Sequence, residues 1–276
     1  MKNFLIPVDF SDVSYTAAQY ALDMAAHLQA EKVVFYHSYA HRPADGYDEH
    51  TGYQHTTLRH LEKMASRLHI PAPLSVRQFI FLADDQSVKS GVEAIVAQYA
   101  VSLIVMGIAG LSDIENTLIG RNTMAVAESG VAPLLIVPRD HLFRPVNKVV
   151  YATDLKNVEH VTPAASIIRL ASQLEAETYI VHVDPATQGQ TPEKILGKQA
   201  ILSMLESLHP VFEVVSEPVD KAAGIFAYVK KHGIDLILMA SRNYGFFERL
   251  FHSSVSKKLL NIADVPVVLL KNKPVA

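Results

Sequence analysis

Five short apolar runs punctuate the first half of the chain: FLIPV from Phe4, VVFYH from Val33, VRQFIF from Val76, SLIVM from Ser102 and PLLIV from Pro133. They read as apolar throughout, without the alternation of a half-exposed strand. That pattern predicts strands buried on both faces of a parallel sheet. Between them the periodicity becomes helical. Over Val13–Ala30, Ala17, Ala18, Ala21, Leu22, Ala25 and Leu28 recur at three- and four-residue spacing, and Ser11 or Asp12 stands where a cap is needed. The order predicted is β-α-β-α-β-α-β-α-β, a doubly wound α/β domain.

The pattern then repeats. FLIPVDFSDV near the start resembles VVYATDLKNV, placing Asp9 against Asp154 at an offset of 145, and His37 falls against His182 at the same offset. Leu68-His69 matches Leu208-His209 at 140, and GVEAIVAQYAVSLIVMG matches GIFAYVKKHGIDLILMA at 133. Pro133 and Pro266 are still 133 apart. The offset falls in steps and never rises, so the second copy is a shortened version of the first. Two domains are expected, 1–140 and 147–276, joined by the polar linker RDHLFRPVN.

Composition narrows the classes of chemistry. The 276 residues include no cysteine, which excludes disulfides, thiolate metal sites and cysteine nucleophiles. A net charge of −3 gives no support for binding nucleic acid or anionic lipid. No apolar run reaches membrane-spanning length, and the start reaches Asp9 before a signal sequence can form, so a cytoplasmic location is expected. Neither a G-x4-G-K-[ST] loop nor a G-x-S-x-G elbow occurs.

In doubly wound sheets, ligands bind beyond the carboxyl ends of the strands. Two features stand there. Asp9 follows the first strand, where a carboxylate can accept from a ribose hydroxyl; its alternative role is to cap the next helix. After the fourth strand, Met106-Gly107-Ile108-Ala109-Gly110 is followed nine residues later by Gly120-Arg121-Asn122-Thr123. A helix starting near Arg121 would aim free N–H groups and its positive dipole end at an anion. The alternative is that these glycines merely permit tight turns.

The first-strand Asp in PVDFS, the G-x2-G-x9-G spacing and a last apolar strand opened by Pro together resemble the universal stress protein family, twice over. The resemblance implies two five-stranded parallel sheets of order 3-2-1-4-5 with helices on both faces. It also implies a site for ATP or another adenine nucleotide, with Mg alongside, in the first repeat: Pro7, Asp9, Ser38, Met106, Gly107, Gly110, Gly120, Arg121 and Asn122. Arg121 departs from the pattern, standing where Ser or Thr is expected. In the second repeat Ala240, Asn243 and Ser253 replace all three glycines, although Asp154, Met239 and Ser254 match. Domain 2 is therefore expected to bind nucleotide weakly or not at all.

The expected function is a stress-response regulator with no defined enzymatic reaction, weak ATP hydrolysis aside; the alternative is a nucleotide-independent interaction scaffold. Its protein partner and stress signal are not legible. An intramolecular pseudo-dimer is expected, with Leu134–Val137 and Val267–Leu270 as its seam, and a homodimer of chains is the other assembly in view. His37, His41, His50, His55 and His60 crowd a segment that the second repeat shortens. Imidazole suits several metals, but HRPADGYDEHTGYQH reads better as a polar loop. FFERLF at 246–251 reads as a segment packed on its own domain; the alternative is an exposed patch that binds a partner.

Overall fold

A computed structural model describes residues 1–39, 49–70, 76, 78–108, 120–184, 191–216, 221–241 and 265–272. They fall into two compact units, with a break between Phe143 and Arg144. In the first, β1 (Asn3–Pro7), α1 (Asp12–His27), β2 (Lys32–Ser38), α2 (Glu49–Ala65), β3 (Gln78–Asp84), α3 (Val88–Tyr99), β4 (Leu103–Ile108), α4 (Arg121–Ser129) and β5 (Leu134–Pro138) alternate along the chain. Its strand order is β3-β2-β1-β4-β5, and the pairings are parallel. Phe4, Leu5, Ile6, Val33, Val34, Phe35, Leu103, Ile104 and Val105 are fully buried, as their unbroken apolar runs require. β3 is only half-buried because it is paired on one side, with β2.

The second unit repeats the plan with β6 (Lys148–Thr153), α5 (Val158–Val161), α6 (Ala164–Leu174), β7 (Glu177–Asp184), α7 (Pro192–Met204), β8 (Val211–Ser216), α8 (Lys221–His232), β9 (Leu236–Ser241) and β10 (Val267–Lys271). Its order is β8-β7-β6-β9-β10, again parallel. One difference between the units lies at the first helix. α1 runs unbroken for 16 residues. Its counterpart is split into α5 and α6, because Pro163 has no N–H to donate and its ring crowds the preceding turn.

One reading of the sequence is revised. The segment read as a loop enters α2 at Glu49, because Thr57, Leu61, Met64 and Leu68 form a buried stripe at helical spacing further along. The polar first turns are carried by that stripe. The linker, in turn, is held down. The ring of Phe143 stands edge-on to Tyr20 of α1 at 5.2 Å, and His141 lies 5.9 Å from the same ring.

Candidate functional site

The carboxyl ends of β1, β2 and β4 and the start of α4 carry the predicted residues of the first unit. Ser11 caps α1, its hydroxyl accepting from the Ser14 N–H at 3.2 Å. Asp9 sits behind that cap: its Oδ1 accepts from the Ser11 N–H at 3.0 Å and from the Ser11 hydroxyl at 2.5 Å. The carboxylate thus takes part in capping as well as facing solvent. Burial pushes its pKa up, but the hydrogen bonds from Ser11 and Ser14 outweigh that and hold it below the usual carboxylate value. At neutral pH it is a fixed negative acceptor.

His37 fixes the strand end from which Asp9 departs. Its Nδ1 donates to the Val8 carbonyl at 2.7 Å. In the second unit His182 Nδ1 donates to the Thr153 carbonyl at 2.9 Å, and Asp154 Oδ1 accepts from the Lys156 N–H at 2.9 Å. The residue after each aspartate is left-handed, Phe10 at φ 63° and Leu155 at φ 59°. That conformation costs a non-glycine residue about 1–2 kcal/mol, and both units sustain it.

The glycines separate into two kinds. A Cβ on Gly107 would lie 2.6 Å from the Val13 carbonyl oxygen and 2.6 Å from its Cγ1, so this glycine lets the start of α1 rest on β4. Its need is internal packing. Gly120 differs: its φ of −56° and ψ of 145° suit any residue, and among the described residues a Cβ there would meet nothing within 4 Å. It is the N-cap of α4 and supplies no side-chain cap. Gly120, Arg121 and Asn122 are exposed, while Thr123 is buried. The first N–H groups of α4 therefore receive no side-chain cap from Gly120 and lie at the positive end of the helix dipole.

Of the other predicted residues, Pro7 ends β1, Met106 is buried in β4, and the Ser38 hydroxyl donates to the Gln86 carbonyl, tying β2 to the turn before α3. Ala109, Gly110, Asn243, Ser253 and Ser254 lie outside the described residues, as do His41 and FFERLF. Among the described residues no group of three or more His, Asp or Glu side chains is placed to hold a metal ion. No described helix is long and apolar enough to cross a membrane. A cavity of about 590 Å³ is lined by Thr56, Arg59, His60, Glu62 and Lys63 of α2 and by Ser66 just after it, and none of the predicted nucleotide-site residues lines it.

In the second unit the turn after the matching aspartate is covered by a helix. Leu155 is buried. A Cβ on Gly197 of α7 would collide with the Leu155 carbonyl oxygen, so that helix rests directly on the turn after Asp154. Lys194 of α7 pairs with Asp184 at 2.6 Å, and both side chains are largely buried. Neither closure was legible in the sequence, although Gly197 and Lys194 stand in plain view there.

The profile of the universal stress protein family matches residues 1–138 and again residues 145–271. The chain belongs to the universal stress protein family. A universal stress protein from Archaeoglobus fulgidus DSM 4304 matches over 99% of this chain and 97% of its own, with 19% identity and a TM-score of 0.64. A functionally unknown protein from Pseudomonas aeruginosa PAO1 matches over 99% and 93%, with 14% identity and a TM-score of 0.54. A universal stress protein from Pseudomonas aeruginosa UCBPP-PA14 matches over 98% and 93%, with 13% identity and a TM-score of 0.55. No curated protein sequence matches the chain. At these identities the solved structures speak for the fold: two universal stress protein domains in tandem.

Proposed function

We propose that this universal stress protein is a cytoplasmic stress-response regulator that binds ATP or another adenine nucleotide, with Mg, in its first domain. The carrying observation is Gly120. Among the described residues nothing around it requires a glycine, and the absence of a side chain leaves space before the uncapped start of α4. A phosphate group fits that space, because backbone N–H groups and the helix dipole both favour an anion there. Asp9, ionised and exposed at the end of β1, supplies an acceptor for ribose hydroxyls. Arg121, exposed at the first position of α4, adds a guanidinium to the phosphate end. No residue is assigned a catalytic role; any hydrolysis is incidental, and occupancy alters the surface presented to a protein partner.

The second reading is a nucleotide-independent scaffold. It draws on Arg121, whose bulk replaces a small hydroxyl residue, and on the covered turn after Asp154 in the second domain. The test is direct. Protein purified from cells is denatured and its supernatant examined for adenine nucleotide by mass spectrometry, and calorimetry with MgATP follows. The proposal expects one site per chain and a loss of ten- to a hundredfold in affinity on Arg121→Ala, since one charge-assisted hydrogen bond is worth about 1.5–3 kcal/mol. Two equal sites, or binding created by Arg121→Ser where the native chain shows none, overturns it.

A further inference from the structure

Phe10 is a large aromatic residue that the fold holds partly in solvent. It is 41% exposed, and it keeps a left-handed backbone to stand there. Its neighbour in sequence is Asp9. The ring of His37 lies tilted against it at 4.6 Å, and the ring of His60 meets it edge-on at 6.0 Å. Those contacts come from β2 and α2, so they steady the phenyl ring from two elements while leaving part of it open. The second unit shows what the same backbone does without this duty. There Leu155 adopts the same conformation, is only 4% exposed, and is covered by α7 at Gly197. One copy of the turn buries an aliphatic plug; the other presents an aromatic surface beside an ionised carboxylate.

We infer that Phe10, steadied by His37 and His60, is the surface on which the base of the bound nucleotide stacks. The inference rests on the proposed nucleotide site and adds the group that reads the ring rather than the phosphates. An aromatic face suits a purine because stacking needs no particular hydrogen-bond pattern, and a ribose held at Asp9 places its base next to residue 10. The surface favours a planar aromatic base over a bare phosphate or sugar phosphate.

The test uses the full chain as wild type, Phe10→Leu and Phe10→Tyr. Leucine already occupies the matching conformation at position 155, so the first variant retains the turn. Each protein is titrated with MgATP, with a fluorescent aminopurine ribonucleoside triphosphate, and with inorganic triphosphate as the probe lacking a base. The expected result is a loss of about tenfold in ATP affinity and of aminopurine quenching in Phe10→Leu, the fold-change that one aromatic–base stack supports. Phe10→Tyr restores both, and triphosphate binds all three alike. Equal ATP affinity and quenching in wild type and Phe10→Leu overturns the stacking role and leaves the nucleotide site standing. An equal loss of triphosphate binding also overturns it, because the change then acts through the phosphates. A wild type that binds no adenine nucleotide removes both.

Discussion

Alanine placed at Gly107 and alanine placed at Gly120 should give opposite results, although both positions belong to one glycine pattern. At Gly107 the new methyl group meets the Val13 carbonyl oxygen and side chain at 2.6 Å, well inside van der Waals contact. A backbone atom cannot rotate away, so α1 has to lift from β4. Overpacking of this kind costs about 1–3 kcal/mol, and the reduced freedom of the unfolded chain returns about 0.4–1 kcal/mol. A net loss of about 1–2 kcal/mol is expected. At Gly120 the methyl group meets none of the described residues within 4 Å and the backbone is ordinary. There the same unfolded-state gain opposes a loss of similar size, because alanine is a poorer N-cap than glycine. Stability should stay within about 0.5 kcal/mol, while ATP affinity falls as the methyl group enters the space before α4. The assay is urea unfolding followed by far-ultraviolet circular dichroism, the chain having no tryptophan to report, alongside calorimetry with MgATP. Gly107→Ala with wild-type stability would show that α1 does not depend on that close approach. A Gly120→Ala that unfolds as early as Gly107→Ala, or that binds ATP as well as wild type, would refute the distinction.

Three further outcomes follow from the same geometry. Gly197→Ala should destabilise the second unit by about 1–3 kcal/mol, because its Cβ meets the Leu155 backbone, yet leave MgATP affinity unchanged; a change in affinity would contradict a site confined to the first unit. Asp9 has a folded pKa below its ordinary 3.8, so its stabilising contribution is present above that value and is lost as pH falls through the folded pKa. Asp9→Asn should therefore flatten the acid limb of the pH–stability curve and leave the limb above neutrality alone. Tyr36→Phe removes the hydroxyl that donates to Asp84 Oδ1 at 2.7 Å and is expected to cost about 1.5–3 kcal/mol in urea unfolding; no loss would mean that Asp84 finds another donor.

The strands and the duplication were legible because burial on both faces forces long apolar runs, and a run survives duplication as a recognisable offset. β1, β2, β4 and β5 were read that way. β3 was read as one of the same kind, and its half-exposure came from pairing on one side only. The start of α2 was not legible: Glu49 to Thr56 precede the buried stripe that stabilises the helix, so the local residues carry no helical period. At the candidate site, the residue types and spacing placed Asp9, Ser38 and Met106 at or near the carboxyl ends of β1, β2 and β4, where they lie. The two meanings of glycine were hidden, since Gly107 is explained by Val13, distant in sequence. The left-handed turn at Phe10 has no signature either, because phenylalanine is rarely found in that conformation.

The paired histidines have a practical consequence. His37 and His182 each commit Nδ1 to a strand-end carbonyl, so both rings sit in the same tautomer and in matching frames. One lies against Phe10; the other lies in the unit whose turn after Asp154 is covered by α7. In a nuclear magnetic resonance titration they form a reporter and its reference within one molecule. A drift common to the sample acts on both signals, whereas an event confined to the first unit moves only the signal of His37.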